Sequence, residues 1–448
     1  MSSSSLEISV AIGLGLLVSL LAWSLVALRV TSRGRFDLID VFVAGFGFVY
    51  GAGYAFVIYA TDSGLNEVNG LRIAGHESSY WVIPALALVC IVGCFAFAAA
   101  FVHRPDRGGE PDSHPDRSAG SDGVAVRLLA WGLLGSSLIA SMLYTRAYGG
   151  IAGFFDVADA LRSGLFDEAA ENFWSFLRPF GGLSVFATYL FGAAIVDDRA
   201  HGRGWLLLGL TVSIVASSVT LLGWGGRVDL LVYWLTVVAG FLIHRAGVTA
   251  RLLSWLAALA VAALLVMPPL TDLMNPGKSV APFEAFFAKE LSFPVESTLN
   301  SLDLDEHQYG ADVLKGPVFL LPERIWGEML QIRSISNRNS EYLLGDKIHQ
   351  GFGFTIPPDF VTVGLHQFGL AGPLILAILW CLALAKLDAY LVTRLPRALS
   401  AFLYAHAALS IAGLTTLYAD PRLVIARNFH FILGLAALLI LARVRRAA

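Results

Sequence analysis

Charge and cysteine are what this sequence has least of. Of 448 residues only 15% are charged and three are cysteine, against 56% hydrophobic. Soluble domains carry about 25% charged and roughly 45 to 50% apolar residues, so a water-soluble enzyme is excluded. Cys90, Cys94 and Cys381 all sit inside apolar runs. Water-exposed loops are therefore left without a disulfide, and neither a zinc ligand set nor a thiol nucleophile is indicated. Cys90 and Cys94 share a helix face and read as small packing residues between helices. Basic and acidic counts of 31 and 34 nearly cancel, which argues against nucleic acid or another strongly charged partner. No internal repeat is visible, and that disfavours many transporter designs.

What the sequence has in quantity is long apolar runs, which predict an all-α polytopic membrane protein. Eleven spans are expected, at 8 to 29, 38 to 60, 80 to 102, 127 to 144, 180 to 196, 205 to 222, 229 to 244, 252 to 268, 360 to 385, 398 to 418 and 425 to 442. The first run follows an uncharged start with no basic stretch and no small-residue cleavage site, so it reads as a retained helix rather than a signal peptide. With the N-terminus outside, cytoplasmic segments hold 17 Lys and Arg and the short external loops seven, the asymmetry expected of cytoplasmic loops.

The chain then divides into helices 1 to 3 (1–102), a Pro, Gly, Asp and Arg-rich disordered cytoplasmic linker (103–126), helices 4 to 8 (127–268) with an external loop at 145–179, a large external loop of short helices (269–359), and helices 9 to 11 with a tail (360–448). The two large segments face outward, and function is expected there.

Candidate chemistry follows the same side. After Gly149 and Gly150, residues Phe155, Ala158, Leu161, Leu165 and Phe166 predict one apolar face of an interfacial helix, from which the Arg162 guanidinium emerges. It either meets a dedicated anion or snorkels to lipid phosphate. In LLGWGGRVDLL, Gly223, Gly225 and Gly226 allow a backbone cradle for phosphate, with Arg227 as a bidentate donor and Asp229 placed to orient it. The alternative is a tight interhelical turn. In the long loop, Phe283, Phe286, Phe287 and Leu291 predict a helix lying on the bilayer surface. Glu290 falls on its apolar side, either as a general base raised by desolvation or as an ordinary carboxylate at the helix edge. Arg324, Arg333, Arg338 and Lys347 alternate with acids as in a solvated face. Asp303 and Asp305 have DxD spacing, but no second acidic pair completes a hard-cation shell, and neither metal nor cofactor is expected. Asp359 is placed to cap span 9. His366 lies about two turns inside it, to donate to phosphate, shuttle a proton or bond between helices. Gly364, Gly369 and Gly372 would admit another helix or a lipid chain. Arg427, in a last group with Asp420, Arg422, Asn428 and His430, could complete an anionic site. Span centres are otherwise almost free of ionisable residues, which weighs against a transporter.

Taken in order, Tyr148-Gly149-Gly150 with Arg162, the Gly225-Gly226-Arg227 turn, and the late loop passing through Pro357 into Gly364-Leu365-His366-Gln367-Phe368-Gly369-Leu370-Ala371-Gly372 resemble the Wzy-like oligosaccharide repeat-unit (O-antigen) polymerase family. The resemblance implies a GT-C-like fold, related to that of O-antigen ligases, in the bacterial inner membrane. It also implies nucleotide-independent transfer of a growing glycan from undecaprenyl pyrophosphate onto a lipid-linked repeat unit at the periplasmic side, with a chain-length regulator and a flippase as partners. Arg162, Arg227, Arg338 and Arg427 would bind pyrophosphate, and Glu290 or His366 would accept the proton. A ligase acting on lipid A-core and, in another class, a transporter of lipid-linked oligosaccharide remain the alternatives.

Overall fold

The computed structural model describes residues 3–65, 73, 75–101, 119–163, 172–197, 203–224, 226–247, 265, 283–304, 307–321, 324–344 and 356–447. Among these residues there is no strand, and the chain is an all-α polytopic membrane protein. Nine of the described helical stretches are long and apolar enough to cross a bilayer. A tenth candidate is the bent pair Pro421–Arg427 and Phe429–Val444, which meet at 58°. These correspond to ten of the eleven expected segments; the span expected at 252–268 falls almost wholly outside the described residues. The helix Ala119–Arg146 starts within the stretch read as linker from its composition.

Helix α1 (Ser3–Arg33) packs along α2 (Leu38–Gly47) and α3 (Tyr54–Asp62), which are joined by one wide turn at Phe48–Gly53. The sequence FGFVYGAG explains that turn, because glycines support helix poorly and let another backbone come close. Ser19 fills the opening. Its hydroxyl donates to the Gly47 carbonyl and accepts the Ala52 N–H, and a Cβ on Gly51 would lie 2.2 Å from the Ser19 oxygen. Wide turns of this kind re-aim side chains; here Tyr50 is turned inward to donate to Asp359.

The helices that follow are α4 (Val82–Phe101), α5 (Ala119–Arg146), α6 (Gly150–Ser163), α7 (Leu183–Val196), α8 (Arg203–Trp224) and α9 (Arg227–Ala246). The buried face of α6 centres on Phe154 and Ala158, whereas Phe155, expected inward, is 37% exposed. Phe154 wins the inward place because its ring lies over Gly223, where a Cβ would meet it at 2.2 Å. Leu165 and Phe166 lie outside the described residues.

Helix α10 (Phe283–Ser301) departs from the sequence expectation of a helix on the bilayer surface. Ser292, Val295, Glu296, Ser297, Thr298 and Leu299 are all buried, so its C-terminal half is sunk in the protein. Its hydroxyls are satisfied there: Ser292 donates to the Lys289 carbonyl, and Thr298 shares Asp359 with Thr362. Helix α11 (Ile335–Leu344) follows. The expected span from 360 is broken in two, as α12 (Phe360–Phe368) and α13 (Gly372–Arg394). Residues eight apart in a straight helix stand about 12 Å apart, yet a Cβ on Gly372 would lie 1.8 Å from the Gly364 carbonyl oxygen. The chain therefore reverses at Gly369, whose φ of 60° is left-handed. Gly364 and Gly372 admit the chain's own fold-back rather than a separate helix or lipid, and Gly369 lies against His307. The remaining helices are α14 (Arg397–His406), α15 (Pro421–Arg427) and α16 (Phe429–Ala447).

One end of the bundle carries a partly buried charge network. Arg29 and Arg33 bind Asp37, Arg29 also reaches Asp40 at 2.9 Å, and Arg35 reaches Asp388 at 3.0 Å. Arg397 donates to the His244 carbonyl at the same end. The opposite end gathers the starts of α9 and α10 and the 417–427 segment. With Cys90, Cys94 and Cys381 replaced by alanine, single cysteines at exposed Ser32 and at Met329, 74% exposed, are expected to react with an impermeant maleimide from opposite sides of the membrane. Labelling of both from one side would overturn this disposition.

Candidate functional site

Two polar clusters lie on α10 and its neighbours. The first forms where α9 begins. Gly226, at φ 82°, turns the chain into α9, and Arg227 as its first residue lies 4.0 Å from the Glu290 carboxylate. Asp229 pairs with Arg427 at 3.2 Å, not with Arg227 as expected. The helix itself explains the correction, since residues two apart point about 200° apart around its axis. The Arg427 guanidinium stands over the Tyr418 ring at 4.2 Å. Tyr418 in turn stacks on Phe293 at 5.3 Å, one turn along α10 from Glu290. Burial pushes the Tyr418 phenol up to about 12 against the pull of Arg427, so at neutral pH it stays a neutral hydroxyl.

Two guanidinium groups and two carboxylates thus meet at the edge of the spans, with the side chains between 13% and 37% exposed. Nη1 of Arg427 is buried with no hydrogen-bond partner among the described residues. A buried, unsatisfied cationic donor is costly; an anion would satisfy it. The backbone cradle expected beside it is not formed by the described glycines. The Gly226 N–H donates to the Leu221 carbonyl at 2.9 Å, Gly223 packs under Phe154, and Gly225 lies outside the described residues. The turn is the tight interhelical one. Arg162 falls in the last turn of α6, and its side chain lies outside the described part of the chain.

The second cluster sits at the other end of α10. Ser301 meets His366 Nε2 at 3.3 Å. Asp312 accepts from Gln367 at 2.7 Å and from Arg338. His307 packs against Gly369, where a Cβ would lie 2.9 Å from its Nε2. Arg338 and His366 therefore belong together, apart from the Arg227 and Arg427 pair. Arg338 departs from the solvated face expected of its charged neighbours, whereas the exposed Arg333–Glu341 pair at 2.8 Å fits it. Asp303 is exposed, and Asp305 lies outside the described residues.

Between the clusters, Asp359 caps α12 as expected, accepting the Val361 and Thr362 N–H groups. It also takes the Tyr50 hydroxyl and so ties the Phe48–Gly53 turn, α10 and α12 together. Burial raises its carboxyl above the usual range, opposed by the Thr362 and Tyr50 hydroxyls.

The expectation of span centres almost free of ionisable groups needs correcting. His406, in the middle of the span Arg397–Thr416, is buried between Tyr189 at 3.0 Å and Asn428 at 2.9 Å, with His430 beside it. Asn428 Oδ1 can only accept, so His406 carries its proton on Nε2 and Nδ1 accepts from Tyr189. The Asn428 amide donates to the Val424 carbonyl, so this residue holds the bend between α15 and α16 directly after Arg427. His406→Ala should lower the melting temperature by an amount matching about 1 to 3 kcal/mol. Unaltered melting would show that the bend is held without it.

Paired guanidinium and carboxylate groups thus lie at one end of a bundle whose helices are long and apolar enough to span a membrane. No family model, curated protein or solved structure matches the chain.

Proposed function

We propose that the protein is a polysaccharide polymerase of the bacterial inner membrane, transferring a growing glycan from undecaprenyl pyrophosphate to the non-reducing end of a lipid-linked repeat unit on the periplasmic side. The observation that carries this reading is the meeting of Arg227, Glu290 and Arg427 at one end of the spans, where one Arg427 N–H has no hydrogen-bond partner among the described residues. Polyprenyl pyrophosphate is already a good leaving group, so the main demand is to stabilise the charge that develops on it as the glycosidic bond breaks. Two arginines at headgroup depth answer that demand.

The proton acceptor must lie within hydrogen-bond reach of a hydroxyl that is itself attacking the carbon bonded to pyrophosphate. Glu290, 4.0 Å from Arg227, is the carboxylate that would stand beside the pyrophosphate in this reading. His366 bonds instead to Ser301, eleven residues along α10 and so about 16 Å away. We therefore assign Glu290 the role of base and remove His366 from it. In this reading Arg338 does not contact pyrophosphate.

The buried His406 group favours a second reading, a transporter of lipid-linked oligosaccharide, because mid-span titratable groups mark many transport paths. Incubating purified protein with lipid-linked repeat unit, with and without lipid A-core, separates the alternatives. A glycan ladder formed without lipid A-core is expected. Transfer only onto lipid A-core would make the protein a ligase, and movement across vesicles without bond formation would make it a transporter.

A further inference from the structure

We propose that the second cluster, His307, Asp312, Arg338, His366 and Gln367 with Tyr309 at its rim, is a saccharide-binding subsite for sugar units remote from the reacting bond. The inference rests on the polymerase reading for which glycan enters it, but its geometry stands apart from the pyrophosphate site.

Composition points to an uncharged, hydroxyl-rich ligand. The Asp312 carboxylate is neutralised by Arg338 and also accepts from Gln367, so the cluster has no strong excess of charge to select an ion. It does have unused hydrogen-bonding capacity: Nε of Arg338 and Nδ1 of His307 are buried without partners among the described residues. Sugar hydroxyls, each donor and acceptor, suit such a mixed set.

Tyr309 supplies the apolar half of the recognition. It is 76% exposed and holds φ at 47°, a conformation uncommon for any residue but glycine. Gln367 imposes it from both ends. The Tyr309 N–H donates to the Gln367 carbonyl at 2.8 Å, and the Gly310 N–H donates to the Gln367 side chain at 3.1 Å. Strained backbone persists only where the surroundings over-determine it, and it concentrates at functional sites. Its result here is an aromatic ring presented outward on a fixed backbone, edge-on to His307 with centroids 6.4 Å apart. A ring so held offers a flat apolar face at little entropic cost. Separation matters as well: about 16 Å along α10 from Glu290 is a distance bridged by an oligosaccharide and not by one sugar.

The test uses the whole protein in detergent and two probes: the free oligosaccharide released by mild acid from the lipid-linked repeat unit, and inorganic pyrophosphate. Tyr309→Ala, an exposed change that leaves the core untouched, is expected to weaken oligosaccharide binding about tenfold or more and to leave pyrophosphate binding unchanged. Asp312→Asn should weaken oligosaccharide binding too, with melting temperature checked. Arg227→Ala should do the reverse, losing pyrophosphate and keeping the oligosaccharide. Oligosaccharide binding that Tyr309→Ala and Asp312→Asn leave at the wild-type level, or no binding by the wild type, would overturn the subsite. Saccharide binding that depends on Tyr309 in a protein that does not bind pyrophosphate would support the subsite while removing the polymerase reading.

Discussion

Arg227→Ala is expected to slow glycan polymerisation roughly thirty- to a thousand-fold, a loss on the order of 2 to 4 kcal/mol of transition-state stabilisation. The side chain opens α9 within 4.0 Å of Glu290, so its removal takes away both an anion donor and the cation beside the base. Arg227→Lys should recover part of the rate, keeping the charge and losing the bidentate fork. Arg427→Ala should cost a comparable factor. It also strands the Asp229 carboxylate, 13% exposed, so the double variant Asp229→Asn, Arg427→Ala is needed to separate lost chemistry from lost stability. The readout is ladder length and initial rate at equal membrane levels with melting profiles compared. Near-normal ladders from both single alanine variants would remove pyrophosphate binding from these residues.

Gly372→Val should abolish accumulation of folded protein. Its first added carbon would sit 1.8 Å from the Gly364 carbonyl oxygen and 2.5 Å from that carbonyl carbon, and backbone contacts of that kind are not relieved by a rotamer change. We expect a cost of about 3 kcal/mol or more. Gly364→Ala meets the Pro373 backbone at 2.4 Å and should behave alike. Gly132→Ala, with nothing within 4 Å of the new carbon, is the control and should be neutral or mildly stabilising, as for a glycine replaced within a helix. Fluorescence-detected size-exclusion profiles of the three variants decide the matter; a normal monodisperse peak for Gly372→Val would mean that α12 and α13 do not fold back as described.

The helices were legible in the sequence because hydropathy is a local property and a span needs only an unbroken apolar run. Reversals and immersion are not local. The run from Phe360 reads as one segment, and only the contact of Gly364 with Gly372 breaks it. The stretch SFPVESTLNS of α10 reads as polar, yet it is buried because Asp359, Thr362 and the helix's own carbonyls take up its hydroxyl and amide groups. Arg227, Glu290 and Arg427 were each legible as candidates, being charged groups at the ends of apolar runs on one expected side. Their association was not, since Glu290 lies 63 positions beyond Arg227. Asp229 carried the clearest local signal, two residues from Arg227, and it misled, because helix geometry sent it to Arg427. Tyr418 and Asp312 gave no signal of their own; each matters through a partner set beside it by the fold.

A polymerase of this kind must break the bond between glycan and pyrophosphate. Purified protein in nanodiscs, given radiolabelled lipid-linked repeat unit alone, should release one polyprenyl pyrophosphate for each glycosidic bond in the ladder it builds. Glu290→Gln should still bind the lipid substrate but release polyprenyl pyrophosphate about a hundredfold or more slowly, as for loss of a general base. Wild-type protein that binds the lipid-linked unit and releases no polyprenyl pyrophosphate, or a Glu290→Gln variant that releases it at the wild-type rate, would contradict the account.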